Sequence, residues 1–129
     1  MRRSQRLNND RGSAVVEFAL VAPLLIIVAL MVFQVVLALH VRATLAAAAG
    51  EGARVAALAG ATPALAERRS REVLEGNLAL GAVDEIRVAK AIREGLVVAS
   101  VTVDARLPLV GLMGPVAMHV TGHAVQEVS

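Results

Sequence analysis

The stretch Gly12-Ser13-Ala14-Val15-Val16-Glu17-Phe18, with the apolar run behind it as far as Leu39, decides how the chain reads. From Phe18 to Leu39 there are 22 residues without a charge, and Gln34 is their only strongly polar side chain. At about 1.5 Å per residue such a helix is roughly 33 Å long, enough for a hydrocarbon core about 30 Å thick. A helix in a soluble core would carry a polar stripe at helical spacing, and this run has none. It reads as a membrane span over residues 13–39. Glu17 stands at its entrance, where a helix begun at Ser13 carries the carboxylate to the bilayer edge. An ionisable group at that depth is costly and implies a partner.

Upstream lies a short leader with Arg2, Arg3, Arg6 and Arg11, expected to be disordered. The formal net charge is +2, but it is unevenly placed. Without residues 1–12 the basic count falls from 13 to 9 and the acidic count from 11 to 10. The basic surplus therefore sits in the leader, and it orients the span with the N-terminus in the cytoplasm and the remainder outside. A single-pass protein of the cytoplasmic membrane with an outer C-terminal domain is expected, in contact with the lipid bilayer. Arg2-Arg3 also suits a twin-arginine signal, and Ala46 to Ala49 offer small residues to a conventional signal peptidase. The long apolar region with Glu17 at its head argues against a cleaved signal peptide.

A basic leader, a glycine, a small residue, a glutamate five positions after the glycine and then phenylalanine resemble the type III signal of type IV pilins and pseudopilins. That resemblance implies cleavage after Gly12 by a prepilin peptidase, with Ser13 as the new N-terminus. It also implies that Glu17, next to Phe18, pairs during assembly with the freed amine of a neighbouring subunit. A cation and a carboxylate that meet in low dielectric cancel each other's desolvation cost. The other reading of Glu17 is a carboxylate near the headgroups of an ordinary, uncleaved anchor. Pro23 removes a backbone donor inside the span and is expected to kink it, either as a hinge or as a harmless proline.

Beyond Leu39 the helix is expected to continue through residues 40–60, which are rich in alanine and hold no proline. Ala48, Gly52, Ala56 and Gly60 recur at every fourth position and give one face little bulk, so another helix or a sheet can approach closely. Glu51-Gly52-Ala53-Arg54 resembles the stretch that follows the membrane helix in TadE-like proteins. Together with the N-terminal signal, it narrows the resemblance to TadE/TadF-type pseudopilins of the tight-adherence (Flp pilus) system, over Gly12 to Ala59. The implied partners are the peptidase and other pilus or pseudopilin subunits.

Residues 61–129 are expected to form a small outer α+β domain. Thr62-Pro63 is a helix start, an N-cap followed by proline, and Gly81 is the expected stop. Arg68, Arg69 and Arg71 alternate with Glu67, Glu72 and Glu75, which suits a solvated face better than a phosphate site. From Asp84 the period falls to two. A strand around Ile86 to Ile92, a turn at Arg93-Glu94-Gly95 and a strand from Val97 to Val103 are expected. An apolar loop from Leu107 to Pro115 and a third strand from Val116 to Val128 follow. The expected fold is α+β and pilin-like: a long N-terminal helix, a second short helix and a small antiparallel sheet.

Little here suggests reaction chemistry. His119 and His123 are four apart, a zinc spacing on a helix but not on a strand, and no acid or third ligand sits at a suggestive distance. Ser100, Thr102 and Asp104 alternate as the polar face of a half-buried strand. The absence of cysteine excludes thiolate metal sites. With two Phe, no Tyr and no Trp, bases have no stacking platform, and nucleic acid is not an expected partner. No catalytic residue, metal or cofactor is expected. Against the pilus reading stands an uncleaved single-span envelope protein whose outer domain binds a partner.

Overall fold

The computed structural model describes residues 2–107 and 114–126. The chain divides into two units, Met1–Val36 and Leu37–Ser129, and helix α1 (Arg2–Ala57) has residues in both.

The first unit is helix alone. Its large apolar side chains are exposed: Phe18 is 74% exposed and Leu25 62%. Among the described residues one helix segment, Asp10–Ala57 of α1, is long and apolar enough to cross a membrane. The leader, expected to be disordered, is helical from Arg2. No proline separates it from the span, and a helix already nucleated extends through Asn8-Asn9-Asp10 and Gly12 at a cost of about 1 kcal/mol or less per residue.

The second unit is α+β. α1 runs to Ala57 and closes through Leu58 N–H to the Val55 carbonyl and Ala61 N–H to the Leu58 carbonyl, both at 3.1 Å. Thr62 then caps helix α2 (Pro63–Leu74), its Oγ1 accepting the Leu65 N–H at 3.3 Å. α2 stops earlier than the sequence suggests. Gly76, with φ of +74°, turns the chain after Leu74, and Gly81 falls within a short 3-10 helix over Leu78–Ala82. Left-handed glycine just past a helix is a common stop. Strand β1 (Val83–Arg93) turns at Glu94-Gly95, both with positive φ, into β2 (Leu96–Leu107). Two left-handed residues match the twist of a two-residue hairpin.

β3 (Val116–Val125) completes an antiparallel sheet in the order β1-β2-β3. Residues 108–113 of the loop expected over 107–115, and residues 127–128 at the end of the third expected strand, lie outside the described residues. Every second residue of β2 is buried: Ala99, Val101, Val103, Ala105 and Leu107. Val41, Leu45, Ala48, Ala49 and Ala53 of α1 cover them, with Leu74 and Ile86 at the side. A sheet this small needs the helix to be stable. It shares one core with α1.

Candidate functional site

Two places in the chain hold the residues singled out above, one in each unit. In the first unit, Gly12, Ser13, Glu17 and Phe18 all lie within α1 and are exposed. One helical turn separates Ser13 from Glu17, and the Ser13 hydroxyl donates to Glu17 Oε1 at 3.5 Å. A methyl added at Gly12 would meet nothing within 4 Å, so no packing inside the chain requires glycine there. α1 continues through Pro23, whose missing N–H leaves the Ala19 carbonyl without its helical donor. The geometry is a carboxylate and a small hydroxyl at the head of a bare apolar helix.

In the second unit the small residues of α1 are contact points. A Cβ built on Gly52 would lie 2.0 Å from Ser70 Oγ, 3.2 Å from the Ala66 carbonyl oxygen and 3.3 Å from Val101 Cγ2. Ala48 and Ala56 are buried beside it. Ser70, itself fully buried, donates its hydroxyl to the Ala48 carbonyl at 3.0 Å. Glycine at 52 is therefore what lets α2 sit against α1. Gly60 lies elsewhere: it is exposed, three residues past the helix, in the left-handed conformation with φ of +76°. Glycine tolerates that backbone at no steric cost.

The matching close approach on the sheet is at Gly122, which the sequence did not single out. A Cβ there would fall 2.5 Å from the Ala49 carbonyl carbon and 2.6 Å from the Gly50 nitrogen. Backbone rests on backbone at that point.

The charged side chains of the second unit pair among themselves. Arg71 reaches Glu67 at 3.0 Å, Arg69 reaches Glu72 at 3.3 Å, and Arg68 lies 3.9 Å from Glu72. On the outer face of the sheet, Arg87 donates to Asp104 at 2.6 Å, and His119 Nδ1 contacts the other oxygen of the same carboxylate. The hydrogen bond with His119, reinforced by the Arg87 charge, holds the Asp104 carboxyl below its usual range despite partial burial. The sequence placed no acid near His119. The strand register does, since Leu107 pairs with Val116 and Asp104 therefore faces His119. His123 pairs with Ser100, two rungs away on the same face. Among the described residues, no three such side chains are placed to hold a metal.

Residues 12–54 match the family model described as TadE-like protein. The N-terminal segment is TadE-like. The match takes in the head of the helix, the span and the small-residue face as far as Arg54, and leaves α2 and the sheet outside it. No curated protein and no solved structure matches the chain. TadE-like proteins are pilus-assembly components, so the match associates this chain with the tight-adherence pilus system and with other pilus subunits. The family is not a known enzyme family, and the exposed apolar helix fits a membrane anchor.

Proposed function

We propose that the chain is a minor pseudopilin of the tight-adherence type, anchored in the cytoplasmic membrane with its N-terminus inside and residues from about 40 onward outside. A prepilin peptidase removes the leader after Gly12 and frees the amine of Ser13. The Glu17 carboxylate then takes the Ser13 amine of a neighbouring subunit as its counter-charge, with Phe18 beside it in the lipid. Pro23 bends the span where helices meet. The outer unit is the part that other subunits contact.

One observation carries this reading: the Gly12-to-Phe18 pattern heads a fully exposed apolar helix inside a TadE-like segment. The unbroken helix through Gly12 favours a second reading, an uncleaved envelope protein with a partner-binding outer domain.

Gly12→Val separates the two. A peptidase that takes an extended backbone of little bulk is blocked by a β-branched side chain. With a prepilin peptidase co-expressed, wild type should begin at Ser13, and the variant should retain Met1 and be heavier by the mass of the arginine-rich leader, residues 1–12. Equal masses, with Met1 retained in both, refute the processed reading.

A further inference from the structure

The sheet can be placed along α1 rung by rung. Ala56 of α1 is buried with Ala99 of β2, and a Cβ on Gly52 would lie 3.3 Å from Val101 Cγ2. β2 therefore runs antiparallel to α1, and its later residues meet earlier ones of the helix. From Val101 to Leu107 is about 20 Å of strand, equal to about thirteen helical residues back from Gly52, near Leu39. Burial agrees. Val41 and Leu107 are buried in one core cluster, and Leu37 and Ala38 pack against it while partly exposed. The corner where β2 ends and β3 begins thus stands level with the last turn of the uncharged run that closes at Leu39.

The side chains at that corner are graded. Leu107 pairs with Val116, and Val116 and Leu39 are both exposed. In sequence, Leu107 to Met118 hold no polar side chain. Charge begins just beyond, on the side away from the run: Arg106, 3.0 Å from Asp84 on the outer face of the sheet, and exposed Arg42 on α1. Apolar groups bounded by a level of arginines follow the order of a membrane surface, hydrocarbon first and phosphate next.

We infer that this corner, the Leu107–Val116 rung beside Leu39, rests in the lipid surface as a membrane contact of the outer unit, separate from the span. The inference rests on the membrane-anchored reading above, which puts the edge of the hydrocarbon near residue 40. Leu39 cannot reach that edge without bringing the rung with it, because Val41 and Leu107 share one core.

The occupant is lipid and not another protein for two reasons. A stable protein interface buries about 1,200–2,000 Å² in total, more than one rung of a sheet offers. The bilayer needs no such area, since α1 itself holds it against the corner. Helix and rung, side by side, then hinder the outer unit from tilting over the surface.

The test uses the full chain in phosphatidylethanolamine–phosphatidylglycerol vesicles, with and without bromine on the acyl chains. Wild type has no tryptophan, so a single one reports without background. Val116→Trp should lose emission in the brominated lipid and emit further to the blue. Ile92→Trp should do neither. Ile92 is apolar and exposed as well, but it pairs with Val97, about 33 Å along β2 from Leu107. If Val116→Trp is less protease-resistant than wild type, Pro115→Trp, exposed and outside the ladder, takes its place. No quenching at this corner in protein that resists alkaline extraction overturns the lipid contact and leaves the anchor intact. Quenching equal to that of Ile92→Trp overturns the contact too. Quenching in protein that the extraction releases overturns the anchor and leaves the contact standing, and release without quenching overturns both.

Discussion

Gly122→Ala adds one methyl group at the place where β3 and α1 touch through their backbones. The new Cβ would lie 2.5–2.6 Å from the carbonyl carbon and oxygen of Ala49 and the nitrogen of Gly50. Normal contact needs about 3.4 Å or more, so the two elements must part by most of an ångström. None of the three atoms can swing aside by a rotamer change, because all belong to the hydrogen-bonded helix. Overpacking of this kind costs about 1–3 kcal/mol, and the opening of the core around Val101 adds to it. Against it stands a gain of about 0.4–1 kcal/mol from the lower entropy of the unfolded chain. The expected net loss is about 2 kcal/mol.

Gly50→Ala is the control. It is the same chemical change on the other side of the contact, yet its Cβ would meet nothing within 4 Å. In a helix interior it should stabilise by about 0.5–1 kcal/mol. Pulse proteolysis of the full chain in micelles, across a urea series, reads the outer unit without interference from the span. The two variants should move the midpoint in opposite directions. If Gly122→Ala falls within about 0.5 kcal/mol of Gly50→Ala, the backbone contact between β3 and α1 is wrong.

Gly52→Ala should destabilise by about 1–3 kcal/mol, since its methyl meets Ser70 Oγ at 2.0 Å; with Ser70→Ala the loss should shrink, and strict additivity in a double-mutant cycle refutes this packing. Asp104→Asn should cost about 1 kcal/mol or less at pH 7, as partly exposed pairs do. Because the native carboxyl is held below its usual range, that stabilisation is present above that range and fades as pH falls through the native value; a variant gap that widens as pH falls from 7 into the acid range refutes it. Glu17→Ala and Glu17→Gln should both insert normally and both fail to crosslink to other pilus subunits after cleavage, because each removes the counter-charge of a buried amine. Normal crosslinking by both would reduce Glu17 to a headgroup-level carboxylate.

Features written in consecutive residues were legible in the sequence, and features made by pairing distant ones were not. The long apolar helix, the Thr62-Pro63 start and the two-residue period of β1 and β2 each depend on local pattern, and each has its counterpart in the structure. The stop of α2 was misplaced because Gly76 and Gly81 are both glycines after a helical pattern, and only the fold shows which is left-handed. His119 looked solitary because Asp104 lies across a hairpin. Counting rungs outward from the pair Leu107 and Val116 would have brought the two together. Gly122 gave no signal at all. Its neighbour across the contact is 73 residues away in sequence, and a glycine within a strand is equally consistent with a bulge or a bend.

α1 carries two kinds of surface along one unbroken helix, and the switch between them has a physical cause. Through residues 15–39 the side chains are large, among them Phe18, Leu24, Ile26 and Phe33, all of them exposed. On the anchored reading proposed above, fluid acyl chains adapt to any outline, so bulk there would increase apolar area without a packing penalty. From residue 43 onward alanine and glycine dominate, because a close-packed helix and sheet must be fitted atom to atom. The TadE-like match ends at Arg54, only three residues before the helix itself does. It therefore contains both surfaces, including Ala48, Ala49 and Gly52, whose contacts lie on α2 and the sheet outside the match. A bare face on an alanine-rich helix is stable only if something covers it. The contacts of α1 run on past the match, since Ala56 is buried with Ala66 of α2 and Ala99 of β2, so the small-residue face demands a close-fitting cover along its whole length.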